Sequence, residues 1–266
     1  MQLAQSKSSS LSWRLPWERF APWLVPAGLI VVWQLLSQVG LISTRILPAP
    51  SDVVAAAVRL TLSGELLRNV GISLYRALAG FLIGGSIGLS LGVLNGLSRS
   101  AENLLDSSLQ MIRNIPHLAL IPLVILWFGI GDQARIFLVS LGVFFPIYIN
   151  TFAGIRSIDP NLLEMGRVYG LRRRELFWQI VLPGALPNML VGLRYALGLM
   201  WLTLIVAETI AANSGIGYMA MNAREFMQTD VVVMSILLYA LLGKLADSIV
   251  RVLERWWLPW HPSQHG

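Results

Sequence analysis

The stretch RSIDPNLLEMGRVYGLRRRELFWQIVLP, residues 156–183, decides how this chain is read. It is rich in arginine and lies between two long apolar segments, Ile136–Ile155 and Pro187–Ala207. Asp159 followed by Pro160 reads as a helix N-cap and its first helical residue. The short helix so begun is expected to end at Gly170, where the missing Cβ permits a left-handed turn. A second short helix is expected from Arg172 until Pro183 stops it. Leu162, Leu163, Leu176 and Phe177 stand beside charged residues in these helices. Two stubby amphipathic helices at an angle make a compact knob, and a compact polar knob on an apolar chain is a surface on which something else presses.

The composition places the whole chain in a membrane class. Of its 266 residues 55% are hydrophobic and 13% charged, with a mean hydropathy of +0.65, where soluble domains carry about 25% charged residues. The net charge of +6 is not massed on one segment with interleaved aromatics, which argues against nucleic acid and for membrane orientation. There is no cysteine, hence no disulfide framework, thiol nucleophile or thiolate metal site. His117, His261 and His265 are scattered, with no H-E-x-x-H, no carboxylate cluster and no G-x-S-x-G elbow. No metal site and no catalytic site is expected.

A span needs about 20 apolar residues of helix. Six are expected: Trp23–Val39, Ala77–Leu97, a third from near Leu109 to Ile130 kinked by Pro116 and Pro122, Ile136–Ile155, Pro187–Ala207 and Val231–Val250. The first follows Lys7, Arg14 and Arg19 and has no A-x-A-like cleavage site after it, so it reads as an uncleaved span. The Ser-rich start, Ser6–Ser12, reads as a disordered tail. Residues 1–20 and 259–266 are the expected tails and 21–258 the transmembrane domain. An inside N-terminus puts Lys7, Arg14, Arg19, Arg99, Arg113, Arg156, Arg167, Arg172, Arg173, Arg174, Arg251 and Arg255 in the cytoplasm. Only Arg45, Arg59, Arg68, Arg135 and Arg224 then lie outside. This bias sets both termini and the 156–183 loop on the cytoplasmic side.

Gly80, Gly84, Gly88, Gly92 and Gly96 recur every four residues on one helical face. Such a face lets another helix backbone approach closely. The seam is structural, and it lies within one subunit or between two. Polar residues inside spans are costly and therefore candidates for function. Asn150, Arg194 and Glu208 are the pathway candidates. Glu208, before the turn-rich Asn213–Gly217, gates a mouth or caps a helix; Arg194 snorkels to the interface or lines a path.

The chain has two lysines, Lys7 and Lys244, and no G-x-x-x-x-G-K-[ST] phosphate loop. An ATP-driven transporter built on it must borrow its ATPase. The spacing of Glu164, Met165 and Gly166, then Gly170, then Ile180, Leu182 and Pro183 resembles the EAA loop of ABC-importer permeases, with Gly166 in place of the usual second alanine. Leu120–Gly131 (LIPLVILWFGIG), Phe144–Thr151 (FFPIYINT), Ala207–Gly217 (AETIAANSGIG) and Met219–Asp230 (MAMNAREFMQTD) resemble segments of the nitrate, taurine and sulfonate class, most closely its aliphatic-sulfonate permeases.

That resemblance implies an all-α, six-span, MetI-like permease fold in the bacterial inner membrane. It implies a homodimer with two ATPase subunits, which bind ATP and Mg2+, docked on the loop, and with a periplasmic sulfonate-binding protein above. The chain itself would bind no cofactor. Permeases of the same class for taurine, nitrate or a vitamin precursor remain open, as does an ion-coupled secondary transporter with Glu208 and Asp247 as its carboxylates.

Overall fold

The computed structural model describes residues 17–258, without the side chains of 17–23 and 211. The expected tails up to residue 16 and from 259, the Ser-rich start among them, lie outside the described residues. Every regular element described is a helix. In chain order they are α1 (Trp17–Gln38), α2 (Pro50–Leu62), α3 (Glu65–Leu97), α4 (Arg99–Arg113), a 3-10 turn (His117–Leu120), α5 (Ile121–Phe128), α6 (Asp132–Arg156) and α7 (Pro160–Val168). Then follow α8 (Arg173–Leu176), a π turn (Phe177–Val181), α9 (Leu182–Ala211), α10 (Ile216–Glu225) and α11 (Thr229–Trp257).

Four helical stretches are long and apolar enough to cross a membrane unaided: α3, α6, α8–α9 taken together, and α11. The α4–α5 pair passes only jointly and is bent by 77°, and Leu24–Gln38 of α1 is a shorter apolar helix. The bend has a local cause. Pro116 offers no N–H and biases Ile115 away from helix, so the chain turns at Asn114–Pro116, whereas Pro122 sits in the first turn of α5 where proline is tolerated. Leu109, the expected start of this span, lies well inside α4. On the outside of the bundle Leu82, Ile87, Leu202, Leu241, Leu245 and Ile249 are each more than half exposed, the distribution a lipid solvent allows.

The centre is α6, held between α3 and α9. Along α3 the glycines meet α6 one turn at a time. A Cβ on Gly80 would stand 2.6 Å from Val139 Cβ, on Gly88 2.6 Å from the Phe144 carbonyl, on Gly92 2.8 Å from Thr151 Cβ and on Gly96 2.8 Å from Ile155 Cβ, while at Gly84 it would run into the Ser140 backbone. On its other side α6 takes Gly192 of α9 against Asn150, whose amide donates to the Pro146 carbonyl at 2.8 Å. Gly142 of α6 faces Thr203 of α9. The main core cluster, including Val139, Val143, Ala196, Leu204, Ile216 and Tyr239, fills the space among α3, α6, α9, α10 and α11.

Backbone cannot yield to an added methyl as a flexible side chain can. Gly84→Ala is therefore expected to lower stability by about 1–3 kcal/mol. Gly71→Ala, on the same helix with nothing within 4 Å, is expected to be neutral or to stabilise by up to about 1 kcal/mol. Thermal unfolding of the two variants in one detergent measures the difference.

Candidate functional site

Two sites stand at opposite ends of α9. At its start is the knob. The Asp159 carboxylate accepts from the Asn161 N–H at 2.8 Å and opens α7. Gly170 then adopts φ +79°, with the Leu171 N–H on the Gly166 carbonyl at 3.0 Å, the bond pattern of a left-handed helix end. Glu175 accepts from the Arg172 N–H at 2.7 Å and opens α8. Gly166 is buried where α7 crosses the π turn: a Cβ there would come 2.7 Å from Ile180 Cδ1.

Pro183 does not end the second helix. The chain stays helical from Arg173 to Ile210, because the π turn widens the backbone just ahead of the proline and the Leu182 N–H reaches the Phe177 carbonyl. Leu182 and Pro183 thus form the first turn of α9, and Val181 and Ala185 pack with Ile155 and Leu163 to join the knob to the bundle. Glu164 and Met165 face outward, beside Val168 and Tyr169, which are 81% and 80% exposed. Large apolar side chains so exposed stand beside charged ones here and form a mixed patch on the knob. Behind the knob a cleft of about 840 Å³ is bordered by Arg99, Arg156, Arg167 and Arg173.

The second site, at the far end of α9, is a buried charge cluster. Glu208 is 1% exposed and Arg76 of α3 is 2% exposed. Arg76 Nη1 donates to Glu208 Oε1 at 2.8 Å. The Ser73 hydroxyl lies 2.8 Å from both carboxylate oxygens, and the Tyr239 hydroxyl and Gly217 N–H each donate to Oε2 at 3.0 Å. Arg76 also donates to the Ser214 carbonyl at 2.7 Å, to Ser214 Oγ at 2.8 Å and to Asp132 at 2.8 Å. The Ile216 N–H donates to Ser73 Oγ at 2.9 Å, and the Gly215 N–H to Asn69 Oδ1 at 2.8 Å. Gly215 has φ +106°, and a Cβ there would strike the Glu208 carboxylate.

The carboxylate thus caps the N-terminus of α10, where helix N–H groups and dipole favour negative charge, and ties it to α3, α9 and α11. The sequence reading missed Arg76, which stands one residue before the expected span Ala77–Leu97. Glu208 is shut inside this cluster and meets no open path in the structure. Asn150 lies in the α6–α9 contact. Arg194 pairs with Asp247 at 3.4 Å and Glu254 at 2.7 Å, joining α9 to α11 nearer the knob, with its side chain 43% exposed.

Removing one partner of a buried, fully bonded pair leaves the other charge stranded. Glu208→Ala is expected to cost about 3–5 kcal/mol by leaving Arg76 uncompensated. Arg194→Ala, at a half-exposed pair, is expected to cost about 1 kcal/mol or less. Unfolding in detergent, run on both variants, separates the buried site from the surface one.

A protein-family model described as the binding-protein-dependent transport system inner membrane component matches residues 84–258. That range takes in the knob and Glu208 but not Arg76. The aliphatic sulfonates transport permease protein SsuC of Escherichia coli (strain K12) is 66% identical over 247 residues, 93% of this chain and 94% of the relative. Its namesake in Bacillus subtilis (strain 168) is 48% identical over 243 residues, covering 91% and 88%. The taurine transport system permease protein TauC of Escherichia coli (strain K12) is 34% identical over 261 residues, covering 96% and 95%. Among solved structures, the inward-facing MetNI methionine ABC transporter has a chain of the same fold, with a TM-score of 0.56 at 22% identity over 72% of this chain and 97% of that one. With its apolar helices and its match over most of its length, the chain belongs to the family of binding-protein-dependent transport system inner membrane components.

Proposed function

We propose that this chain is the permease subunit of an ATP-driven importer of aliphatic sulfonates. The observation that carries the substrate is the 66% identity spanning 94% of a sulfonate permease, against 34% to a taurine permease. The chain is a transport component and not an enzyme. Two copies form the path, with two ATPase subunits, which bind ATP and Mg2+, docked on the two knobs and one periplasmic binding protein at the other end. The arginine bias supports a cytoplasmic knob, on the side where ATP is. The count of six spans, with α1 as the first and the α4–α5 pair as the third, belongs to the same proposal.

The knob is suited to receive a push. Its two helix starts are capped, its turn is fixed at Gly170, and Glu164, Met165, Val168 and Tyr169 offer a mixed face to a partner. Gly166, Ile180, Leu182 and Pro183 fasten that face to α9. Motion of the ATPase pair then moves α9 as a rod, and the rod carries Glu208 and its grip on α10 at the far end. Specificity is shared with the binding protein, which hands the anion over.

Gly170→Val puts a β-branched residue at positive φ, which costs about 1–3 kcal/mol locally. Deletion of the gene is expected to abolish growth on a short alkanesulfonate as sole sulfur source and leave growth on sulfate intact. Wild-type chain restores growth when the cognate ATPase is present and fails without it, and Gly170→Val inserts in the membrane but does not restore growth. Loss of only taurine or nitrate use on deletion would change the substrate, and import that survives without the ATPase would favour a secondary transporter.

A further inference from the structure

The helix α4 is unlike the others. Its fifteen residues, RSAENLLDSSLQMIR, bury no side chain, although it forms half of a bent membrane segment. Glu102, Asp106, Gln110 and Arg113 recur every three or four residues and share one face. Three of the four have partners: Arg156 of α6 pairs with Glu102, while Gln110 Nε2 and the Tyr148 hydroxyl donate to Asp106 at 3.2 and 3.3 Å. Arg113 differs. Among the described residues its guanidinium has no ion pair and no hydrogen bond. The Arg113 side chain is exposed, so its guanidinium is open to an anion that reaches it from outside the chain.

Arg113 borders a cavity of about 220 Å³ between α4 and α6. Across from it stand Phe145, Tyr148 and Phe152, three or four residues apart on one face of α6, with the Tyr148 and Phe152 rings stacked at 6.1 Å. The cavity lining therefore combines the Arg113 guanidinium, the Gln110 amide and the Asp106 carboxylate with an aromatic wall. Asp106 lies two turns from Arg113 with both oxygens already accepting hydrogen bonds, so its charge turns an anionic head toward Arg113. A planar guanidinium offers paired N–H groups to a tetrahedral oxyanion, and an aromatic wall suits a short alkyl chain.

We infer that this cavity is a subsite on the translocation path for a small organic anion, with a sulfonate head on Arg113 and Gln110 and the alkyl chain against Phe145 and Phe152. The inference rests on the sulfonate-import reading. Arg113 is the specificity-determining residue, and the aromatic wall sets which chain lengths pass.

The test uses the complete transporter in proteoliposomes with loaded binding protein, measuring uptake of ethanesulfonate and hexanesulfonate alongside ATP hydrolysis. Arg113→Gln is expected to lower uptake of both by about tenfold or more while hydrolysis changes by less than about twofold, the loss expected for one charged hydrogen-bonding group. Arg113→Lys recovers most of the uptake. Phe145→Ala lowers hexanesulfonate uptake more than ethanesulfonate uptake. The subsite is overturned if Arg113→Gln imports at the wild-type rate, or if uptake and hydrolysis fall together in both Arg113 variants. A wild-type transporter that imports neither sulfonate removes the substrate reading and the subsite with it; a wild-type rate matched by Arg113→Gln removes the subsite alone.

Discussion

Backbone contact between α3 and α6 sets the spacing from which the other helices take their positions. In lipid no hydrophobic drive brings helices together, so close packing of small residues has to do it. Five glycines in steps of four let α3 lie against α6 with Val139, Ser140, Phe144, Tyr148, Thr151 and Ile155 filling the seam. The opposite side of α6 repeats the device with fewer glycines, Gly142 and Gly154 on α6 and Gly192 on α9. Three helices are thereby held at near-backbone distance, and this slab gives α9 a fixed bed.

That bed matters because α9 joins the two sites. Its lower end is the π turn and the knob, and its upper end is Glu208. The lower joint is apolar, made by Ile155, Val181 and Ala185. The upper joint is ionic, made by a carboxylate with four donors around it and an arginine with its N–H groups taken up by Glu208, Ser214 and Asp132. An apolar contact can slide at small cost, whereas a buried charge that loses its partners cannot. The chain is thus compliant near the partner that would drive it and unyielding where it holds α10.

The knob was legible in the sequence because its determinants are local: Asp159 and Pro160 open a helix, and Gly170 closes it. The glycine register was legible because a period of four on an apolar run has one structural meaning. Arg76 was not, since its partner Glu208 lies 132 residues away and only folding brings them together. Pro183 misled for a related reason. A proline ends a helix unless the backbone ahead of it widens, and that widening at Phe177–Val181 leaves no mark in residue types. The third span was legible as a segment bent near Pro116, but its start, expected near Leu109, falls inside α4, because hydropathy passes over the polar face of that helix.

The central claim is that the chain from α8 to the end of α9 moves as one rod, carrying what happens at the knob to the Glu208 cluster. The chain has no cysteine, so spin labels at Arg174→Cys and Ile210→Cys, in one copy per assembly, report that length alone. Measured by pulsed electron resonance in the complete transporter, the label separation is expected to stay the same with ATP absent and with ATP trapped on the ATPase. A change of more than about 5 Å, one helical turn, would show that the π turn bends as a hinge and would contradict the rod.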